Sequence, residues 1–265
     1  MTDQMRKIGI IGGSGMLGSA ISQALLDRQI VQPADLWISN KSGKTSGLEL
    51  FPDVRFTTDT TQLCEACDIV ILSVPPASLP DLAIHVPDRL VISVMAGVTV
   101  EQLKTITGSP RVVRAMSSPA AAMGLAYSPW IASGDITAED RASVTQILEA
   151  CGATDEIDQE QHLDHFTAMT GPVPGFVAFY ADCMIDYAIK AGIAPEIADR
   201  AIRQLFFSSG AMLAHGQATP SDHVQQMIDY AGTTAAGLIS MKNSPICEAI
   251  AKGLDAAVEK ARTIS

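Results

Sequence analysis

Short apolar segments alternate with helical patterns along the chain up to about residue 155. Some of these segments, such as Ile69-Val70-Ile71-Leu72, are apolar at every position, as expected for strands that are covered by helices on both faces. This alternation predicts a parallel sheet with crossover helices, an α/β doubly wound fold. The predicted strands are Lys7–Gly12, Asp35–Ser39, Asp68–Val74, Leu90–Met95, Arg111–Ala115 and Trp130–Ser133, with a short one near Thr154–Ile157.

Two threonines mark the start of predicted helices in this part of the chain. Thr99 is followed three positions later by Gln102, and Thr137 in the same way by Asp140. A hydroxyl at a helix N-cap accepts a hydrogen bond from the backbone three residues on, and the side chain at that position bonds back to the cap. We therefore expect one helix to begin at each threonine.

From about residue 159 the apolar pattern changes, and no further strands are predicted. Pro195, Pro220 and Pro245 each suit the first turn of a helix, where the missing N–H of proline costs nothing. These helices are expected to run to about His215, to about Tyr230 and to the C-terminus. The last helix carries an apolar stripe with a repeat of four, Ile246, Ile250, Leu254 and Val258. The change predicts an α/β domain at 1–158 and an all-α domain at 159–265.

The composition is that of a folded protein, with 47% hydrophobic and 18% charged residues. The formal net charge of −11 argues against a nucleic acid or an anionic membrane surface as a partner, because both require basic patches. No apolar run approaches the ~18 residues that span a bilayer, and the first residues contain no signal-peptide core. The slightly positive mean hydropathy suggests a buried subunit interface. We expect a soluble cytoplasmic protein.

The cysteines and histidines do not predict a metal site. Five scattered cysteines fit reduced thiols in a reducing compartment. Cys64 and Cys67 form a C-x-x-C, but a zinc site would require a second such pair, which the sequence does not contain. We interpret them as small residues on a helix that leads into a buried strand. His162 and His165 lack a third ligand nearby and are interpreted as surface residues.

A glycine-rich segment follows the first predicted strand and opens a helix. Its pattern is G-x-G-x-x-G, formed by Gly13, Gly15 and Gly18 with Ser14, Met16 and Leu17 between them. In dinucleotide-binding βαβ units the first glycine makes a tight turn, the second lets the backbone approach a pyrophosphate, and the third allows close helix packing. Amides at the helix start then face the phosphates. The segment predicts a dinucleotide site, and the alternative is a purely structural turn.

The end of the second predicted strand indicates which dinucleotide is bound. An NAD site usually has an acid there, which holds the ribose 2′-hydroxyl. This chain has Ser39-Asn40-Lys41-Ser42 instead, with Lys44 close behind. A cation with hydroxyl and amide donors can hold a 2′-phosphate, which a carboxylate would repel. The segment favours NADP(H), while a site that also takes NAD(H) and a solvated turn remain alternatives.

A second segment with candidate chemistry lies in the helical part. Gly232-Thr233-Thr234 opens a short predicted helix and offers free amides and two hydroxyls. Such an arrangement can bind a carboxylate. It can equally be a helix N-cap, and the residues themselves leave both interpretations open.

Together these segments resemble the pyrroline-5-carboxylate reductase family over essentially the whole chain. The segments that carry the resemblance are Gly13–Gly18, Ser39–Lys41, Ile71–Pro76, Ser93–Val98, Arg114–Met116, Ala168–Gly171 with Pro174, and Gly232–Thr234 preceded by Pro220–Asp222 and Gln226. The resemblance implies reduction of a cyclic imine to proline with NADPH or NADH. It also implies an intertwined helical dimerisation domain, with the substrate between one subunit's nicotinamide and the helices of the dimer.

The resemblance also implies roles for individual residues. Thr234 is expected to hydrogen-bond the substrate nitrogen or carboxylate and is the candidate catalytic residue. The candidate substrate-binding residues are Gly232, Thr233, Thr234, Thr170 and Gln226. The candidate cofactor-binding residues are Gly13, Ser14, Gly15, Met16, Leu17, Gly18, Asn40, Lys41, Ser42, Val74, Pro75, Ala96 and Gly97. The predicted partners are a small imine and a second copy of the chain, in a homodimer through the C-terminal helices, with a higher homo-oligomer as the alternative.

Several positions depart from the family pattern. Pro75 stands where a lysine is usual, and Ser117-Ser118 replaces Pro-Asn. Thr170-Gly171-Pro172-Val173-Pro174 replaces Ser-Gly-Ser-Gly-Pro, and Asp229-Tyr230-Ala231 replaces Ser-Pro-Gly. Because several of these positions surround the family's substrate pocket, two alternatives stay open: reduction of a different imine or carbonyl, and a catalytically silent NADP-binding regulatory dimer.

Overall fold

The computed structural model describes residues 6–41, 43, 47–82 and 84–263. The strands that it contains are β1 (Ile8–Ile11), β2 (Leu36–Ser39), β3 (Arg55–Thr57), β4 (Ile69–Leu72), β5 (Leu90–Ser93), β6 (Val112–Ala115), β7 (Ala126–Tyr127), β8 (Trp130–Ala132) and β9 (Gly152–Ala153). The helices of this part are α1 (Met16–Asp27), α2 (Thr60–Ala66), α3 (Val100–Thr107), α4 (Ala138–Cys151) and α5 (His162–Met169).

A seven-stranded sheet forms the centre of the α/β part, with the order β3-β2-β1-β4-β5-β6-β8. Neighbouring strands run parallel as far as β6, and Ile8 pairs with Leu36 on one side and Ile69 on the other. β8 runs antiparallel to β6, because the chain turns back through a 3-10 segment, Pro119–Met123, instead of crossing over through a helix. The predicted doubly wound α/β fold is confirmed.

Short strands account for the differences from the prediction. β3 and β7 were not predicted, since three and two residues are too few to show a hydrophobic period. The strand predicted near Thr154–Ile157 is wrong, because that segment makes a single bridge, between Glu156 and Trp130. The pairing strand lies just before it, at β9, and is bonded to β7.

The core lies in two layers on the two faces of the sheet. Along β4, Ile69 and Ile71 belong to one apolar cluster, and Val70 and Leu72 belong to the other. Successive strand residues point to opposite faces, so a strand buried on both faces must be apolar at every position. The continuous apolar runs in the sequence have this cause. The predicted helix starts at Thr99 and Thr137 are confirmed, because both threonines form complete capping boxes.

The remaining helices are α6 (Gly175–Lys190), α7 (Pro195–His215), α8 (Pro220–Asp229), α9 (Thr233–Lys242) and α10 (Ile246–Arg262). The proline-marked helix starts are confirmed for α7 and α8, and α10 begins one residue after Pro245. α6 and α7 pack together, with an edge-on contact between Tyr180 and Phe206 at 5.8 Å. None of the described helices is long and apolar enough to cross a bilayer.

Contacts divide the chain into two compact units, Met1–Val173 with Ala256–Ser265, and Pro174–Asp255. The predicted domain boundary after residue 158 falls just before α5, and the contacts assign α5 to the first unit. Leu163 and Ala168 of α5 are buried. From the sequence, residues 1–158 are expected to bind the dinucleotide, and residues 159–265 to bind the substrate and form the dimer. This division by function stays a prediction.

The Cys64-x-x-Cys67 pair lies on α2 and at its end, directly before β4, as predicted. Both residues are buried free thiols. Burial raises the pKa of Cys64 to about 11 and that of Cys67 to about 12. Since the thiolate is the reactive form, these cysteines are unreactive near neutral pH.

Asp140 is completely buried at the start of α4, at the centre of an ionic cluster. It accepts hydrogen bonds from Arg6 at 3.0 Å and from Arg111 at 3.1 Å, and it closes the capping box of Thr137. Burial alone raises the pKa of Asp140, but the bonds from Arg6 and Thr137 and the charge of Arg111 outweigh it, so the pKa lies below its ordinary value. Such a carboxylate stabilises the fold above its unfolded-state pKa, and this stabilisation disappears as the pH falls through its folded-state pKa.

Asp140→Asn is expected to lower the free energy of unfolding at pH 7 by about 2 kcal/mol, because two arginines lose their buried partner. The difference from the wild type shrinks as the pH falls below about 4, because the carboxyl of the unfolded chain takes up a proton there while the native carboxylate, with its lowered pKa, stays ionised to a lower pH. Urea unfolding between pH 7 and pH 3 measures both effects. Glu139→Gln is the control, since Glu139 also pairs with Arg6 but is exposed, and it should cost at most about 0.5 kcal/mol. Equal losses in the two variants would contradict a special role for the buried carboxylate.

Candidate active site

The carboxyl ends of β1, β2 and β4 surround a cavity of about 840 Å³, which we call the first cavity. Its lining includes Gly12, Ser14 and Gly15 from the glycine-rich turn, Ser39–Lys41 after β2, and Val74 and Pro75 after β4. In open α/β sheets, ligands bind in the crevice outside the carboxyl ends of the strands. The structure therefore brings six of the predicted cofactor residues together around one cavity: Ser14, Gly15, Asn40, Lys41, Val74 and Pro75.

The glycine-rich turn leaves no room for side chains at its closest approaches. Gly12 has a left-handed backbone with a φ of 85°, and a Cβ there would lie 2.4 Å from the carbonyl oxygen of Ser73. A Cβ on Gly18 would lie 2.5 Å from the carbonyl oxygen of Gly12, which agrees with the close helix packing expected of Gly18. The amide of Gly15 donates to the carbonyl of Gly12 at 3.0 Å, so Gly13 and Ser14 are the central residues of the tight turn, as expected for Gly13. A Cβ on Gly13 would lie 2.8 Å from Ile38.

The start of α1 faces this turn without a side-chain cap. Gly15 is the N-cap residue, and within the described part of the chain no side chain accepts a hydrogen bond from the first helical amides. Amides in the first turn of a helix have no partner within the helix, and the helix dipole favours an anion beside them. The turn and the helix start thus fit a pyrophosphate. Met16 is largely exposed at this position.

No free acid follows β2 at the edge of the first cavity. Asn40 is buried and its amide N–H donates to the carbonyl of Thr57 at 3.3 Å, while Lys41 is exposed. Two acids line the cavity from other segments: Asp59 accepts bonds from the amides of Thr61 and Gln62 and so caps α2, and Asp81 is exposed at the end of a 3-10 segment after β4. A 2′-phosphate held at the end of β2 would therefore meet a cation, and no carboxylate directly follows that strand. Ser42 and Lys44 lie outside the described residues, and their roles stay predictions.

A second cavity, of about 300 Å³, lies at the carboxyl ends of β5 and β6. Val94, Met95 and Ala96 line it after β5, Arg114–Ser117 line it at the end of β6, and Leu17 lines it from α1. The predicted cofactor residues Leu17 and Ala96 therefore lie at the second cavity. Gly97 lines neither cavity and has a left-handed backbone with a φ of 74°.

A buried ionic cluster, which no sequence pattern predicted, lies at the second cavity. Arg114 is 4% exposed and donates to Glu160 at 3.1 Å and to Asp164 at 2.7 Å. Glu160 also accepts the amide N–H of Val100 at the start of α3. The cluster neutralises Arg114 and links β6, α3 and the α5 region. An arginine inside the apolar strand Val112–Ala115 was the signal that could have revealed it.

The segment after α5 reaches the second cavity through Gly171 and Pro172. Thr170 itself donates from its hydroxyl to the carbonyl of Phe166 at 3.0 Å, which closes the last turn of the helix. Its predicted role in substrate binding stays a prediction. Across the described residues, no group of three His, Cys, Asp or Glu side chains could hold a metal ion.

The predicted substrate residues of the second unit lie at the start of α9 and on α8. Gly232 is the N-cap residue of α9, and Thr233 and Thr234 form its first turn. Both threonines are exposed, and among the described residues neither hydroxyl has a hydrogen-bond partner. Gln226 lies exposed on α8, which packs against α9. The first turn of α9 can therefore present amides and two hydroxyls to a ligand.

Asp229 and Ala231 depart from the family pattern beside this helix start. The Asp229 carboxylate is exposed and accepts a hydrogen bond from Gln225 at 2.7 Å, one turn back along α8. Ala231 has a left-handed backbone with a φ of 56°. The family pattern has glycine at this position, so the chain carries local backbone strain directly before Gly232.

Ala231→Gly is expected to raise the free energy of unfolding by about 0.5 kcal/mol, since relief of about 1 kcal/mol of strain is partly offset by the freedom of glycine in the unfolded chain. Thermal unfolding measures the change. Gln29→Gly is a matched control, because Gln29 has nearly the same φ, 57°, at the end of α1 in the other unit. A gain in Gln29→Gly alone would mean that the methyl group of Ala231 makes compensating contacts.

Two parts of the chain match known protein families. Residues 7–97 match the family model described as NADP oxidoreductase, coenzyme F420-dependent, and residues 160–264 match pyrroline-5-carboxylate reductase dimerisation. Pyrroline-5-carboxylate reductase 2 of Bacillus subtilis (strain 168) is 30% identical over 253 residues, which are 93% of this chain and 90% of that protein.

Solved structures have the same fold over nearly the whole chain. The 1-pyrroline-5-carboxylate reductase of Streptococcus pyogenes superposes with a TM-score of 0.81 at 25% identity, covering 97% of this chain and 98% of that one. The Plasmodium falciparum pyrroline carboxylate reductase, whose structure has NADP bound, superposes with a TM-score of 0.80 at 24% identity and covers 98% of both chains.

The protein is a dinucleotide-dependent oxidoreductase by class. Three features place it there: a doubly wound sheet, a glycine-rich turn at the carboxyl edge of that sheet, and a C-terminal helical segment that matches a dimerisation family. The chain belongs to the pyrroline-5-carboxylate reductase family.

Proposed function

We propose that the protein reduces the C=N bond of 1-pyrroline-5-carboxylate to give proline, with NADPH as the hydride donor. This proposal rests on the match to a pyrroline-5-carboxylate reductase over 93% of this chain, together with the glycine-rich turn at the carboxyl edge of the sheet. In the reaction, a hydride adds to the imine carbon and a proton to the nitrogen, while NADPH becomes NADP⁺. The chemistry requires positioning and exclusion of water more than a nucleophile.

The residues of the first unit fit NADP(H). The turn at Gly12–Gly15 and the start of α1 are proposed to hold the pyrophosphate, and Lys41 with Asn40 the 2′-phosphate. Ala96 and Leu17 are proposed to contact the nicotinamide from the walls of the second cavity. When bound, the reduced nicotinamide supplies the hydride. NAD(H) is the alternative cofactor, and the lack of a free acid after β2 favours NADP(H).

The start of α9 is the proposed substrate anchor. The amides of Gly232 and Thr233 are proposed to bind the substrate carboxylate, because first-turn amides and the helix dipole favour an anion. Thr234 is proposed to hydrogen-bond the substrate nitrogen or carboxylate. Thr170 and Gln226 are further proposed substrate contacts. Asp229 is already bonded to Gln225, which reduces the repulsion of a carboxylate ligand.

The helices of the second unit support a homodimer. Matching of residues 160–264 to a dimerisation family predicts self-association. α6 buries none of its residues in the single chain, and its Phe179 and Tyr187 are 71% and 76% exposed. Burial of these aromatic side chains would contribute several kcal/mol to association. We propose a dimer through the C-terminal helices, which light scattering of the purified protein tests by its mass.

The remaining proposals concern environment and partners. The net charge of −11 supports a protein that binds neither nucleic acid nor anionic membranes. Five free cysteines support a reducing compartment, which we propose to be the cytoplasm.

A second candidate function is reduction of a different imine or carbonyl. Ser117 and Pro172, which depart from the family pattern, both line the second cavity and favour this alternative. The test is NADPH oxidation by the purified protein with 1-pyrroline-5-carboxylate and with a panel of cyclic imines and ketones. Efficient turnover of the first substrate supports the proposal, and selective turnover of another supports the second candidate. Binding of NADPH without any turnover would instead indicate a silent regulatory dimer.

A further inference from the structure

The second cavity is lined by a serine, Ser117, whose hydroxyl proton is accepted by no other residue that the structure describes. Ser117 directly follows β6 and is 7% exposed. The buried Ser128 donates from its Oγ to the Oγ of Ser117 at 2.9 Å. Ser117 is therefore an acceptor in this pair, and a serine hydroxyl keeps one proton of its own to donate. Among the described residues, no acceptor takes that proton.

The backbone around the Ser128–Ser117 pair is fixed on both sides. The amide of Ser128 donates to the carbonyl of Ala153 at 2.8 Å, and the carbonyl of Ser128 accepts from the hydroxyl of Thr154 at 2.5 Å. On the other side, the amide of Met116 donates to the carbonyl of Pro129 at 3.0 Å. Because Ser128 is held in place, the Ser117 hydroxyl is oriented before any ligand arrives.

The other walls of the second cavity are apolar or already satisfied. Leu17, Val94 and Met95 supply apolar surface. The hydroxyl of Thr167 donates to the carbonyl of Leu163 at 2.7 Å, and Arg114 is neutralised by its two carboxylates. A carboxylate ligand would require a free cation or several donors in such a place. A flat, neutral carboxamide carries no charge that needs compensation, and its carbonyl oxygen can accept from the one donor that is present.

We propose that Ser117 donates a hydrogen bond to the carboxamide oxygen of the nicotinamide ring and thereby positions that ring in the second cavity. The inference rests on the proposed function, since it assumes a nicotinamide dinucleotide along this sheet edge. The strand order places β5 and β6 directly beyond β4, so the second cavity continues the edge on which the first cavity lies. The family pattern has proline at position 117, so this donor belongs to the present chain.

The test compares two probes, NADPH and 2′-phospho-ADP-ribose, which has the same adenosine half but no nicotinamide. Ser117→Ala in the full-length protein is expected to raise the Kd for NADPH about threefold to tenfold, the value of one neutral hydrogen bond. It should leave the Kd for 2′-phospho-ADP-ribose unchanged. Ser118→Ala is the matched control, since Ser118 is the adjacent buried serine and its hydroxyl has no partner in the described chain. It should change neither Kd.

Ser128→Ala tests whether Ser128 acts on NADPH binding through Ser117, which a purely structural role would not require. It is expected to weaken NADPH binding about twofold to threefold when Ser117 is present, and not to weaken it further in the Ser117→Ala background. Equal weakening of both probes by Ser117→Ala, or an unchanged Kd for NADPH, would overturn the inference. So would a rise confined to the Michaelis constant of the imine substrate, which would assign the hydroxyl to that substrate. If the wild type bound no NADPH, the proposed function itself would fail.

Discussion

Replacing Lys41 by aspartate is expected to raise the Kd for NADPH about a hundredfold and that for NADH at most about twofold. Lys41 is an exposed cation at the rim of the first cavity, and no carboxylate pairs with it among the described residues. The substitution removes a charge-assisted hydrogen bond to the 2′-phosphate and puts a repelling charge in its place. A hundredfold change corresponds to about 2.7 kcal/mol. Direct titration of both cofactors measures the ratio.

Two controls separate a local contact from a general effect of charge. Lys104→Asp changes the net charge by the same amount on α3, outside the lining of either cavity, and should alter neither Kd by more than about twofold. Lys41→Met removes the cation without adding an anion and should weaken NADPH about tenfold. The assignment of Lys41 to the 2′-phosphate is wrong if Lys41→Asp weakens NADPH and NADH equally.

Thr234→Val is expected to lower the catalytic efficiency, kcat/KM, about a hundredfold with 1-pyrroline-5-carboxylate as the substrate, while the Kd for NADPH stays within about twofold of the wild type. Valine keeps the shape of threonine but lacks the hydroxyl that is proposed to contact the substrate. Thr234 is exposed in the first turn of α9, where the hydroxyl has no partner among the described residues. Loss of a transition-state hydrogen bond in a closed site has an effect of this size. Steady-state kinetics and cofactor titration measure the two quantities.

Thr234→Ser is the matched variant, since it keeps the hydroxyl and loses only a methyl group. It should recover activity to within about fivefold of the wild type. Thr234→Ala should behave like Thr234→Val, because both lack the hydroxyl. Unchanged turnover in the valine and alanine variants would remove Thr234 from the site. A parallel loss of NADPH binding would show that the substitution disturbs more than the substrate anchor.

The α/β part and its glycine-rich turn could be predicted from the sequence, because the patterns that indicate them involve residues close together in the chain. A glycine turn needs residues without a Cβ at fixed spacing, and the strand before it must be apolar at every position when both faces are buried. Capping boxes at Thr99 and Thr137 and the prolines that open helices are equally local. The left-handed conformation of Gly12, directly before that turn, depends instead on tertiary packing, since a Cβ there would lie 2.4 Å from the carbonyl oxygen of Ser73.

Contacts between distant segments could not be predicted in this way. Arg114 meets Glu160 and Asp164, 46 and 50 positions away, and no local pattern links these residues. The pairing of β7 with β9 also joins segments that are distant in the sequence, and no local pattern predicts it. Ser117 and Ser118 differ in the sequence only by their order, yet one lines the second cavity and the other does not.

The sequence by itself determined the doubly wound sheet, the glycine turn, the absence of an acid after β2 and the helical second half, because backbone conformation and burial follow from spacing and residue type. Only the tertiary structure decided which side chains share a cavity. It gave Ser128 a partner in Ser117, left one hydroxyl proton of that pair without an acceptor among the described residues, and neutralised Arg114 with two carboxylates. Hydrogen bonds between distant segments depend on packing, which no local pattern records.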